Sequence, residues 1–183
     1  MSDPGHPPAW QAEDVWQTQQ EEFVQAHLKR IFLLIYRLVG NVADAQDLTQ
    51  EAFIKALQRQ EQLRDADKAA QWLSRIATNT ALDFLRRRSR SPETELEGLP
   101  SLPPALDEES PEDRLLRFER EDRLEAVLAR LTPRERAALV LRDLEELPAE
   151  EVARRLGCGK ATVRSHIANA RIKVRKYWER RLK

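Results

Sequence analysis

Thr162, Ser165, His166 and Asn169 fall within about two helical turns of one another, and each carries a group that can donate or accept a hydrogen bond. Lys160, Arg164, Arg171 and Lys173 stand around them, and Arg175 and Lys176 follow. Small polar groups bracketed by cations are suited to reading base edges in a major groove while phosphates are held at the sides. Bond-making chemistry has no comparable foothold. The 183 residues hold no nucleophile elbow, no Gly-rich phosphate loop, no zinc-ligand spacing and no nuclease-type carboxylate cluster. The single cysteine, Cys158, cannot form an internal disulfide. The expectation is a non-enzyme without metal or cofactor.

The elements that must position these residues are punctuated in the sequence. Val163, Ile167, Ala170 and Val174 recur at i, i+4, i+7 and i+11, an apolar stripe that would hold one helix against its own domain. Ahead of it, Pro148 opens a shorter helix with Val152, Ala153 and Leu156 inward, Gly157 ends it, and Gly159 permits a tight turn. Short helix, Gly-containing turn and polar-faced helix form the helix-turn-helix pattern. Further upstream, Thr132 and Glu135 bracket Pro133 as a capping box.

The first half reads as three more helices. Phe23, His27, Ile31, Leu34 and Leu38 form a core stripe that stops at Gly40, with His27 a packing residue. Leu48, Ala52, Phe53, Ala56 and Leu57 mark the buried face of the second helix, opposite Asp44, Asp47, Glu51, Lys55 and Gln58. In the third, Trp72, Leu73, Ile76, Ala77, Thr80 and Phe84 pack while Arg75, Asn79, Asp83 and Arg86 line another side, and Arg86, Arg87, Arg88 and Arg90 end it. Arg75, Asn79 and these arginines make a second candidate nucleic-acid surface.

The formal charge of zero conceals segregation. From Arg154 onward there are eleven Lys or Arg against Glu179 alone, whereas residues 91–113 carry eight acids, five prolines and no Lys or Arg. Proline denies a helix its N–H donors and like charges repel, so the middle is expected to be an extended linker. With only five Gly and 6% aromatics, the chain is expected to be all-α: two small helical domains joined by an acidic, Pro-rich linker. The divisions expected are an N-terminal extension over 1–19, a first domain over 20–90, a linker over 91–112 and a helix-turn-helix domain over 113–183. No run of about 18 apolar residues predicts a membrane span, and a cytoplasmic protein, monomeric when free, is expected.

Taken in order, "DAQDLTQEAFIKAL", "WLSRIATNTALDFLRRRSR" and "LTPRERAALVLRDLEELPAEEVARRLGCGKATVRSHIANAR" resemble bacterial sigma factors of the extracytoplasmic-function group over about residues 20 to 178. The resemblance implies an initiation factor that brings core RNA polymerase to promoter DNA. It implies that Asp44, Asp47, Gln50 and Glu51 dock on the clamp helices of the largest polymerase subunit, with Phe53 structural. It assigns the −10 element to Leu63, Arg64, Asp65, Ala66 and Asn79, which the cationic surface of Arg75, Arg86 and Arg87 adjoins, and the −35 element to Lys160, Thr162, Arg164, Ser165, His166, Asn169, Arg171 and Lys173. The family often has a pattern like "SRLHRAR" where this chain has "SHIANAR", and Asn169 favours an adenine edge, so an altered −35 preference follows. The acidic linker would thread the polymerase toward the RNA exit path, and an anti-sigma protein is a possible partner. A stand-alone regulator binding operator DNA is the alternative. It accounts for the second half but leaves the paired "DAQDLTQEAF" and "RIATNTA" segments without a purpose.

Overall fold

The computed structural model describes residues 9–63, 65–89 and 123–181, with side chains over 20–63, 65, 67–89 and 123–180. Residues 1–8, Arg64, Arg90 and the expected acidic linker lie outside the described residues. Among those described, every regular element is helical.

Helix α1 (Ala9–Val39) is longer than the apolar stripe predicts, and the expected N-terminal extension continues it from Ala9. Ile31, Leu34, Ile35 and Leu38 are almost wholly buried at the spacing of one helical face. The helix ends because Gly40 adopts φ +76°, where a Cβ would be strained, and its N–H donates to the Tyr36 carbonyl at 2.8 Å. Helix α2 (Val42–Gln58) starts at Asn41, whose Oδ1 accepts the Asp44 N–H at 3.0 Å. Its buried Ala45, Ala52 and Ala56 are small, which lets α2 lie close to its neighbours around Leu48 and Phe53. Helix α3 (Ala69–Arg88) buries Leu73, Ile76, Ala77 and Ala81 together with Thr78 and Thr80. His27 is half-buried and stands edge-on to Phe23, which in turn meets Phe53 edge-on. Burial, then Arg30, push the His27 imidazole below its ordinary pKa, consistent with a packing residue.

The second half begins with a helical stretch over 123–128, α4. Helix α5 (Pro133–Leu139) opens with the expected capping box: Thr132 Oγ1 accepts the Glu135 N–H, and Glu135 Oε2 accepts the Thr132 N–H at 2.9 Å. It runs into a wider turn, Val140–Leu144, where the Glu145 N–H donates to the Val140 carbonyl five residues back. Helix α6 (Ala149–Leu156) ends at Gly157, whose φ of +63° is the left-handed cap. Gly159 does not adopt a positive φ; its carbonyl accepts the Val163 N–H, so it serves as the entry to α7 (Lys160–Arg181).

The halves meet each other. Leu128, Leu131 and the interior of α5 belong to one continuous apolar cluster with α1, α2 and α3. Tyr36 Oη on α1 donates to Glu125 Oε2 on α4 at 3.1 Å, and Arg86 on α3 donates to the Arg155 carbonyl on α6 at 3.3 Å. Thr132→Ala removes the cap oxygen and is expected to lower unfolding free energy by about 1 kcal/mol in urea titrations, with the slope on denaturant unchanged.

Candidate nucleic-acid interface

Helix α7 is fixed from beneath by Val163, Ile167 and Ala170, at 0%, 8% and 0% exposure. Their burial turns Thr162, Arg164, Ser165, Ala168 and Asn169 to solvent. Ser165 Oγ donates back to the Ala161 carbonyl at 3.2 Å, which leaves its oxygen able to accept from outside. His166 is half-buried, and its Nε2 is shielded with no partner among the described residues. It is therefore less outward than the polar row predicts.

The cations around this row divide into two kinds. Arg171 is held by Asp143 through two hydrogen bonds, Nε to Oδ2 at 3.1 Å and Nη2 to Oδ1 at 2.8 Å. That pairing raises the guanidinium's already high pKa. Lys173 donates to Glu135 Oε2 at 2.6 Å, and Lys160 pairs with Glu150 at 2.6 Å. Arg164, Arg175 and Lys176 are exposed. Glu135 is only 6% exposed. Burial pushes its carboxyl up, but the hydrogen bonds from Lys173 and Thr132 outweigh this and hold it below the usual glutamate value. The same carboxylate thus caps α5 and clasps α7.

On the first half, Arg75, Asn79, Asp83 and Arg86 share one exposed face of α3. Arg86 pairs with Asp83 at 3.3 Å, and Arg87 is exposed beside them. Arg88 turns away from this face. It reaches Asp44 on α2 at 2.8 Å and lies over the Phe84 ring, so Asp44 meets a cation of its own chain. Glu51 pairs with Lys55, which also donates to Thr80 Oγ1 at 3.2 Å and ties α2 to α3. Asp47 and Gln50 are exposed. Ile54, 55% exposed, follows Asp47, Gln50 and Glu51 by seven, four and three residues and so sits at the centre of their face. A lone large apolar residue among polar ones was the available signal for it.

Leu63 and Asp65 line a cleft of about 830 Å³ between the halves, together with Trp72 and Arg75 of α3 and with Glu145 and Glu151 of the second half. Asp65 itself accepts the Asp67 N–H at 3.1 Å and pairs with Lys68 at 2.9 Å, so it shapes the loop. For Ala66 the backbone lies in a short 3-10 turn, Ala66–Lys68.

Two family models match the chain in series, sigma-70 region 2 over residues 23–91 and sigma-70 region 4 over 121–174. The chain belongs to the extracytoplasmic-function group of RNA polymerase sigma factors. It is 40% identical over 159 residues to the ECF sigma factor SigE of Mycolicibacterium smegmatis, covering 86% of this chain and 60% of that one. It is 38% identical to the sigma-H factor of Pseudomonas aeruginosa, covering 78% and 77%, and 30% identical to SigW of Bacillus subtilis, covering 85% and 86%. Among solved structures, the sigma factor RpoE of Bartonella quintana shares the fold at a TM-score of 0.60 and 21% identity, covering 87% of this chain and 96% of that one. SigJ of Mycobacterium tuberculosis matches at 0.51 and 30%, covering 81% and 50%. The face of α2 and the face of α3 therefore belong to region 2 of this sigma factor, and the row on α7 to region 4.

Lys173→Met should test the clasp by its pH dependence. A carboxyl whose folded pKa lies below the ordinary 4.5 contributes stability above that pH and loses it as pH falls through the folded value. Without Lys173, its hydrogen bond and its charge no longer lower the carboxyl's pKa, so the folded pKa rises. The variant should be about 1 kcal/mol less stable than wild type at neutral pH, a modest figure because the lysine is partly solvated. The gap should narrow as pH drops below about 4.5, read from unfolding curves across pH.

Proposed function

We propose that this sigma factor docks on core RNA polymerase through the α2 face of Asp44, Asp47, Gln50 and Glu51, with Ile54 as its apolar centre. Region 2 takes the opened −10 strand on Arg75, Asn79, Arg86 and Arg87, beside the loop carrying Leu63, Arg64, Asp65 and Ala66. Region 4 reads the −35 duplex with Thr162, Ser165 and Asn169, assisted by His166, while Lys160, Arg164, Arg171 and Lys173 face the phosphates. The observation that carries this reading is an exposed polar row on an apolar-anchored helix, in a chain whose other half presents a separate polar and cationic face. Catalysis belongs to the polymerase, and the chain works where the chromosome is, in the cytoplasm. None of the described helices is long and apolar enough to cross a membrane. An anti-sigma protein is a further partner, supported by the Bartonella neighbour, which was solved with the anti-sigma factor NepR.

Reconstituted transcription with core polymerase free of other sigma factors is the direct test. Promoter-directed RNA from genomic fragments is expected, and none from any fragment would refute the reading. Asp47→Lys with Glu51→Lys should weaken assembly by placing like charge against the partner. Asn79→Ala should impair opening at the −10 element and leave assembly intact, so wild-type opening would reject that assignment.

Salt dependence should separate the two kinds of cation on α7. Arg164→Ala should reduce the slope of log affinity against log salt by about 1, because a phosphate contact is lost. Arg171→Ala should reduce it by less, because Arg171 exchanges one anion, Asp143, for another. Ser165→Ala or Asn169→Ala should change base preference more than overall affinity.

A further inference from the structure

The exposed side of α7 is not polar throughout. Val163 and Ala170, both 0% exposed, mark the line along which the helix is seated. A residue nine positions from either stands about two and a half turns away, at 3.6 residues per turn, and so points in the opposite direction. Those residues are Ile172, nine after Val163, and Ala161, nine before Ala170. Ser165 and Ala168 fall between them, so that Ala161, Ser165, Ala168 and Ile172 run at i, i+4, i+7 and i+11. All four are exposed, and Ile172 is 47% exposed. This line stands furthest from the body of the domain, with Thr162 and Asn169 on its flank.

The chemistry of that line is narrow. Ser165 is its one hydrogen-bonding side chain, and its hydroxyl donates to the Ala161 carbonyl at 3.2 Å. The side chains of Ala161, Ala168 and Ile172 neither donate nor accept, so they cannot read the nitrogen and oxygen pattern of base edges. The apolar group that a major groove presents is the 5-methyl of thymine. Contact between that methyl and Ile172 takes both out of water, which is favourable. The surroundings suit the same partner. Asn169 and Arg175 stand three residues from Ile172, Lys176 stands four away, and residues 160–178 contain no Asp or Glu. An apolar anchor ringed by cations and an amide fits a polyanion whose groove carries methyl groups better than it fits the mixed charges of a protein surface.

We propose that Ile172 is a specificity-determining contact of the −35 interface, taking the 5-methyl group of a thymine close to the base edge read by Asn169. The proposal rests on the reading of α7 as the −35 helix. Ile172 lies three residues beyond Asn169, about 4.5 Å along the axis, which is between one and two base-pair steps of about 3.4 Å. The thymine is therefore expected within two base pairs of the position that Asn169 selects. An amide that suits adenine and an aliphatic side chain that suits thymine then read neighbouring pairs from one helix face.

Core polymerase reconstituted with the full-length wild-type chain, Ile172→Ala, Ile172→Val or Asn169→Ala tests this on promoter fragments randomised over the −35 element. Wild type should enrich a thymine within two base pairs of the position whose preference Asn169→Ala changes. Ile172→Val should keep that thymine, and Ile172→Ala should lose it while other positions stay as in wild type. Each thymine of the enriched duplex is then replaced in turn by deoxyuridine, which deletes only the methyl group. At one of them wild-type binding should weaken about fourfold, the worth of one buried methyl, and Ile172→Ala should bind both duplexes equally. Deoxyuridine that has no effect at any thymine, or the same effect on wild type and Ile172→Ala, would overturn the proposal. So would an Ile172→Ala chain that loses affinity for core polymerase with its base preferences unchanged, because Ile172 would then meet protein. A wild-type holoenzyme that starts transcripts yet selects no −35 sequence refutes the reading of α7 itself, and the thymine contact falls with it.

Discussion

A buried charge persists in a fold only where its lost hydration is replaced by hydrogen bonds, and α5 places two such charges side by side, Glu135 and Arg136, both 6% exposed. Neighbouring residues on a helix point about 100° apart, so the two reach different partners. Glu135 takes Lys173 of α7 and the Thr132 N–H, which fixes the recognition helix to the helix that supports it. Arg136 takes the Leu128 carbonyl and the space beside Gly40, which brings region 4 against region 2. A seven-residue helix thereby holds both the reading head and the body of the molecule.

The same economy governs the surface. A chain with equal numbers of acids and bases that must bind a polyanion has to keep its cations from being neutralised at random. Here the pairings are directed. Arg171 is oriented by a two-point contact with Asp143, whereas exposed Arg164 has no such hydrogen-bonded acid and acts on Glu150 only through its charge. Arg88 is spent on Asp44 at the start of α2, whereas Arg86 and Arg87 stay exposed on the other side of α3. In α6, Arg154 and then Arg155 hold the Glu151 carboxyl below its ordinary pKa, and the Arg155 carbonyl is left to accept Arg86.

What was legible in the sequence was local. The capping box, the left-handed stop at Gly157 and the stripe Val163, Ile167, Ala170 depend on residues a few positions apart, and periodicity or cap chemistry exposes them. Asn41, three residues before Asp44, was a readable cap of the same kind. By contrast, Arg171 with Asp143, Lys173 with Glu135 and Arg88 with Asp44 join residues 28, 38 and 44 positions apart. Nothing in a linear pattern says which acid a given cation will meet, so cations that resemble free phosphate ligands turn out to be partly engaged. Gly159 illustrates the converse: two glycines flank Cys158, both suit a turn, and only the backbone angles show that Gly157 alone needs the freedom.

The seam between the halves follows from a conflict between two demands. Two halves this small bury too little apolar surface each to leave Leu131, Leu38 and Val39 in water, so their association is favourable. A jigsaw-tight interface would make it permanent. The seam instead has a gap, a few long-range hydrogen bonds and a guanidinium held by the absence of a single side-chain carbon at Gly40. Such a contact resembles the modest, polar interfaces between domains that move relative to one another. Its polar contacts come from few groups, each separate from the polar row of α7 and the face of α2.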